Sequence, residues 1–199
     1  MEVPIDPYEF GRSALKSLAD QYENKGRNED TTRLHLIDQL FFKCLGWSTE
    51  DCVTEESNGK EYADYSFYAP NLLLIVEAKR EGVCFELPAG LNKLLYPLKS
   101  LMKDYKELGS AIDQSMTYCQ KRGSLFGAVC NGYQLVAFVA TSIGVSPMNG
   151  QAIVFSSLNN MLDNFIELWN AVSKYAVTER RLMARLSTDN PVIIPSKIS

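Results

Sequence analysis

The chain has one histidine, His35, and none of its five cysteines (Cys44, Cys52, Cys84, Cys119, Cys130) forms a CxxC pair. That spacing argues against a zinc site and against a disulfide framework, and for reduced thiols in a cytoplasmic protein. No apolar run approaches the length that crosses a bilayer. The amino terminus, Met1-Glu2-Val3-Pro4-Ile5-Asp6-Pro7, lacks the basic region followed by an apolar one that marks a secretory signal. A basic excess is also missing: 20 Lys and Arg stand against 24 Asp and Glu, a net charge of −4. Such a chain is a poor electrostatic match for nucleic acid on its own, because neutralising phosphates takes a local surplus of cations. The basic clusters are modest: Lys79-Arg80, Lys121-Arg122, and Arg180-Arg181 with Arg185. No internal repeat or low-complexity segment is visible.

At 199 residues and 46% hydrophobic, the chain can bury one sizeable core, and a single α/β domain is expected. The most informative stretch is Tyr62-Ala63-Asp64-Tyr65, a short gap, and then Leu72 to Lys79. Leu72 to Val76 is a continuous apolar run of strand length, the pattern of a strand covered on both faces. Glu77 and Lys79 continue it and, at period two, share a face with Leu73 and Ile75. Charges at the end of a core strand are costly to desolvate unless they meet each other, a metal or water.

Glu61 to Phe67 is aromatic-rich and strand-like, and Tyr68-Ala69-Pro70-Asn71 carries turn residues, so an antiparallel hairpin is expected. A four-residue loop sets Asp64 opposite Ile75 and a two-residue loop sets it opposite Glu77; either puts Asp64 on the Glu77 and Lys79 face. Neighbours on one face lie about 5 to 8 Å apart at Cβ, near enough for two carboxylates to grip one hard cation such as Mg²⁺. Lys79 beside that cation would orient or deprotonate an attacking water, the parts needed for metal-assisted phosphodiester hydrolysis. The competing reading is a surface salt bridge between Glu77 and Lys79, with Asp64 merely ending a strand.

Tyr8 to Gly26 reads as an amphipathic helix, and Asn28-Glu29-Asp30-Thr31-Thr32 opens a second one through Leu45. The second has an apolar stripe of Leu36, Ile37, Leu40, Phe41, Cys44 and Leu45. Glu29 and Arg33 stand in line with that stripe. They either face inward at its end or form a helix-start carboxylate with an i,i+4 partner. Cys52-Val53-Thr54 is a short strand, and Val83-Cys84-Phe85 a further apolar stretch. A helix from Leu98 to Leu108 is broken at Gly109, and another follows from Ser110 through Arg122. It carries Gln114 and Tyr118 at i and i+4, able to bond a catalytic lysine, a metal-bound water or a phosphate, or else an ordinary polar helix side. Leu125 to Cys130 and Leu135 to Thr141 are strands joined by the Asn131-Gly132 turn. A long amphipathic helix is expected from Ser157 to Leu186, then a linker-like tail.

In that order, Asn28 to Arg33, Ala63-Asp64-Tyr65, Ile75-Val76-Glu77-Ala78-Lys79, Gln114 to Tyr118 and Asn131-Gly132 resemble one family. The pattern is similar to the amino-terminal nuclease domain of the restriction subunit of type I restriction enzymes, within the PD-(D/E)xK superfamily, over residues 28–141. The resemblance implies that Asp64 and Glu77 bind a divalent metal, Mg²⁺ with Mn²⁺ as a substitute. It further implies that the Ala78 carbonyl adds a ligand, that Glu29 completes or approaches the metal shell, and that Lys79 serves the attacking water. Gln114 and Tyr118 match the family's helical QxxxY element beside the active site. Arg33, Arg80, Lys121 and Arg122 are the nucleic-acid contacts expected around it. The superfamily's proline before the aspartate is here Ala63, and the motor that drives cleavage in type I enzymes is not in this sequence.

The expectation is an α/β, restriction-endonuclease-like core with a central mixed sheet of about five strands flanked by helices. Residues 1–156 would form the nuclease-like domain, 157–186 a helix packed on it, and 187–199 a linker. The expected function is a Mg²⁺-dependent DNA endonuclease of restriction or anti-phage defence, leaving 5′-phosphate and 3′-hydroxyl ends; RNA uses the same chemistry. Further domains or subunits would supply a motor, a sensor or DNA affinity, and no membrane is involved. The alternative is a catalytically silent docking module that keeps the nuclease fold.

Overall fold

The computed structural model describes residues 6–22, 32–58, 61–70, 72–79, 87, 91, 93–142, 144 and 146–187, with the backbone alone at 32–34, 55–58, 61–62 and 72–73. Helix α1 (Pro7–Tyr22) precedes α2 (Thr32–Asp38), which runs on as a π-helical segment, Gln39–Cys44. Strands β1 (Cys52–Asn58), β2 (Glu61–Tyr68), β3 (Leu72–Ala78) and β4 (Leu95–Pro97) follow, then helices α3 (Leu98–Asp104) and α4 (Lys106–Arg122). Next come β5 (Phe126–Cys130), β6 (Leu135–Val139) and β7 (Gln151–Phe155), and then the short helices α5 (Leu158–Asp163), α6 (Phe165–Val172), α7 (Lys174–Thr178) and α8 (Arg181–Leu186).

The strands form one seven-stranded sheet in the order β1-β2-β3-β5-β6-β7-β4. Every neighbouring pair is antiparallel except β3–β5, which is parallel. A parallel pair needs a long crossover. Here the chain leaves β3, visits the far edge as β4, and returns through α3 and α4 to lie beside β3 as β5. The sheet has seven strands, where about five were expected; β4 and β7 are the additions. Both sit at the far edge, where β4 spans only Leu95–Pro97, too short to leave a periodic signal.

Helices cover both faces. One face carries the larger core: α1, the α2 and π-helical segment, and α5 to α8 close over Phe67, Leu74, Val76, Phe126, Ile153 and Phe155. Phe67 stacks on Phe41 at a centroid separation of 4.9 Å and meets Trp47 at 4.7 Å. The expected stripe from Leu36 to Leu45 is buried in this layer. On the other face α3 and α4 close a smaller core over Ile75, Val129, Val136, Phe138 and Val154. Helix α4 lies close because β5 offers Gly127: a Cβ there would sit 2.7 Å from the Phe138 ring and 3.1 Å from Ser115 Oγ.

Two helix boundaries differ from expectation. Gly109 lies inside α4, where its missing Cβ admits the Met102 carbonyl, 2.4 Å from where that atom would be. The break falls instead at Tyr105, whose backbone is extended (φ −128°, ψ 94°). The expected single helix from Ser157 to Leu186 is four short ones. Asn164 interrupts the first junction, and extended Ser173 caps α7 by accepting the Ala176 N–H. Arg180, at φ 55°, turns the chain so that Leu182 and Leu186 re-enter the core while Tyr175 is left exposed. Residues 23–26 and 28–31, Val83-Cys84-Phe85 and the tail 188–199 lie outside the described residues.

Among the described residues no helix is long and apolar enough to cross a membrane.

Candidate active site

The hairpin of β2 and β3 places the first carboxylate. Tyr68 pairs with Leu72, so the loop holds three residues, an odd number that would by itself reverse the faces. A bulge between Phe67 and Tyr68 absorbs the extra residue. The ladder then runs Phe67↔Leu74, Ser66↔Ile75, Tyr65↔Val76. The pairing ends there, one step short of Asp64 and Glu77. The paired ladder of β2 and β3 stops at Tyr65, and Asp64 closes the gap with its side chain: Oδ2 accepts the Ala78 N–H at 2.7 Å. A carboxylate bonded to a backbone donor in this way is held in one orientation.

Glu77 is the next-to-last residue of β3, on the α3/α4 face, and is 2% exposed. Its Oε1 accepts from Lys79 Nζ at 2.5 Å. The same ammonium also donates to Gln114 Oε1 at 2.9 Å, so α4 grips the lysine from above. The backbone holds it from the side, because the Lys79 N–H donates to the Cys130 carbonyl at 2.8 Å, extending the parallel β3–β5 ladder by one bond. Lys79 is thus fixed at both ends of its side chain at the carboxyl-terminal end of that pair.

Tyr118 lies one turn beyond Gln114, buried in the apolar layer with Ala63 and Ile75. It makes no hydrogen bond to Asp64, Glu77 or Lys79 among the described residues. Lys121 and Arg122 stand at the far end of α4, eight residues from Gln114 for Arg122, about 12 Å along the axis at 1.5 Å per residue. They are not part of the cluster. Glu29 and Arg80 lie outside the described residues, and of Arg33 only the backbone is described, on α2.

Among the described residues no group of three or more His, Cys, Asp and Glu comes together. Two carboxylates with a backbone carbonyl are the kind of oxygen set that Mg²⁺ takes while keeping several waters, whereas zinc sites are built mainly from nitrogen and sulfur ligands. The Cys130 thiol lies in the larger core on the other face of the sheet, where burial pushes it up to about 12.

Two supporting contacts have no signature in the sequence. Tyr65, next to Asp64, donates to Asp38 Oδ1 at 2.9 Å and ties α2 to β2 from the opposite face; burial and that bond push its phenol well up. Gln134 holds the turn after Cys130, accepting from the Leu87 N–H at 3.0 Å and from Asn131 Nδ2 at 3.1 Å and donating to the Ser156 carbonyl. The Asn131-Gly132 signal announced that turn: Asn131 Oδ1 accepts the N–H groups of Tyr133 and Gln134, and Gly132 has φ 89°.

Comparison with protein-family models, with curated proteins and with solved structures finds no match to this chain.

Proposed function

We propose that this chain is a metal-dependent DNA endonuclease domain with the PD-(D/E)xK arrangement and a restriction-endonuclease-like core, serving restriction or anti-phage defence in the cytoplasm. The observation that carries the reading is the junction of Asp64, Glu77 and Lys79 at the end of β3, with Gln114 of α4 closing on the same lysine. A surface salt bridge would not need a 2% exposed glutamate at the end of a core strand. The antiparallel β2–β3 hairpin, the parallel β3–β5 pair and the α4 crossover support the proposed core.

Asp64 and Glu77 would hold Mg²⁺ or Mn²⁺, with the Ala78 carbonyl and Glu29 as further oxygen donors. The bound ion supplies Lewis-acid activation of water and of the scissile phosphate. Lys79 Nζ, held between Glu77 and Gln114, donates a hydrogen bond that aims the attacking water at phosphorus and offsets the charge growing on the phosphate oxygens. Cleavage of the P–O3′ bond leaves a 5′-phosphate and a 3′-hydroxyl. With a net charge of −4, the chain relies on further domains or subunits for much of its DNA affinity and for its trigger.

The test is nicking of supercoiled plasmid, single-stranded DNA and RNA at low salt by wild type and Glu77→Gln, with Mg²⁺, Mn²⁺ or EDTA. Metal-dependent nicking that Glu77→Gln abolishes is expected. No cleavage together with no metal-dependent thermal shift would overturn the nuclease and favour a docking module.

A further inference from the structure

A concave site away from the cluster lies on the α3/α4 side of the sheet, at its β4 edge. It is an open cavity of about 460 Å³, lined by Lys99, Ser100, Lys103 and Asp104 of α3 and by Met148 and Asn149 of a short 3₁₀ turn. Its wall is built: the Leu98 N–H donates to the Gly150 carbonyl, and the Gly150 N–H to the Pro147 carbonyl, both at 3.0 Å. Lys99 and Lys103 are one helical turn apart on the same side of α3, and both are exposed. Among the described residues neither has an ion-pair partner. With Asp104 as the one carboxylate, the lining carries one net positive charge in a chain whose total is −4. The Ser100 hydroxyl and the Asn149 amide add neutral donors.

We propose that this cavity is a phosphate-binding site that grips the backbone of duplex DNA away from the point of cleavage. The inference rests on the nuclease reading for its choice of ligand. Four strand steps separate β3 from β4, about 19 Å at 4.8 Å per step, and the cavity lies toward the opposite end of the strands. The separation from Glu77 is therefore roughly 20 to 25 Å, or about seven base pairs at 3.4 Å per base pair. A duplex of that length spans the separation, and the second grip would supply cations that the catalytic cluster lacks.

The test reads binding without cleavage. Fluorescence anisotropy of a labelled 20-base-pair duplex is followed in EDTA between about 50 and 200 mM salt, with the full chain and its Lys99→Gln/Lys103→Gln variant. Each lost phosphate contact removes about 0.9 from the slope of log K against log[salt], so the slope should flatten by one to two and affinity fall several-fold. Both substitutions are on exposed side chains, so the melting temperature should hold. An unchanged slope and affinity overturns the proposal. So does a variant that loses only a thermal shift induced by inorganic phosphate while binding DNA like wild type, which would assign the cavity to a free phosphate. A chain that shows the slope change but cuts nothing overturns the nuclease reading and leaves the DNA grip standing.

Discussion

The two faces of the sheet are built for different work. The face under α1, α2 and α5 to α8 is an aromatic layer in which Phe41, Trp47, Tyr65 and Phe67 pack ring against ring and Tyr8, Phe165 and Trp169 form a second group. The face under α3 and α4 is thinner, and it alone brings Glu77, Lys79 and Gln114 together. Burying a charged glutamate at the end of a core strand carries a desolvation cost that an apolar residue would not. Stability concentrated on one face leaves the other free to hold such a group.

The comparison breaks if either face proves to do the other's work. The largest effect is expected on the thin face: Glu77→Gln should lower metal-dependent cleavage by about 10³-fold, near 4 kcal/mol, while thermal unfolding shifts by no more than about 1 kcal/mol. A nuclease assay beside a melt checks both halves. Phe67→Ala should do the reverse, costing about 3–5 kcal/mol in denaturant unfolding because its ring is fully buried among four others. Any of that variant that stays folded should cut normally. Gly127→Ala joins the two effects, since its methyl group must displace Phe138 or Ser115; a loss of about 1–3 kcal/mol and a drop in activity are expected together, as α4 lifts Gln114 away from Lys79. Gln114→Ala should leave the melt unchanged and cost about tenfold in rate, near 1.4 kcal/mol, read in the same nicking assay.

The smallest effect tests whether the aromatic face is also where pH acts. Burial alone would raise Asp51, but bonds from Lys174 and Ser48 outweigh it and hold its carboxyl below the ordinary 3.8. The folded state therefore binds fewer protons than the unfolded one between the two values. The stabilisation is complete above the unfolded value and is lost as pH falls from there through the lower folded value. Asp51→Asn should remove about 1 kcal/mol at pH 6 and less at pH 3, measured as the difference in unfolding free energy at the two pH values. A variant destabilised equally at both would place the contribution in packing.

Much of the site was legible in the chain because its pieces are local. The apolar run Leu72 to Val76 announces a buried strand, period two puts Glu77 and Lys79 on one side of it, and Gln114 falls on a helix with a glycine stop at Gly123. The hairpin was legible as a hairpin and not in its details: an even loop was expected, and the structure has a three-residue loop with a bulge, its pairing ending at Tyr65 before Asp64 is reached. The C-terminal helices were not legible, since Leu158, Met161, Phe165, Leu168 and Val172 keep a helical spacing across breaks that only backbone geometry at Asn164 and Ser173 creates.

By itself the sequence determined the alternation along β3, the turn at Asn131-Gly132 and the candidate set Asp64, Glu77 and Lys79, because these follow from periods and turn chemistry within a few residues. Only the tertiary structure decided that β5 would run parallel to β3, that α4 would close on Lys79, and that β4 and β7 would extend the sheet to seven strands. Those are pairings between segments tens of residues apart, chosen by which buried surfaces fit together, and no local pattern encodes them.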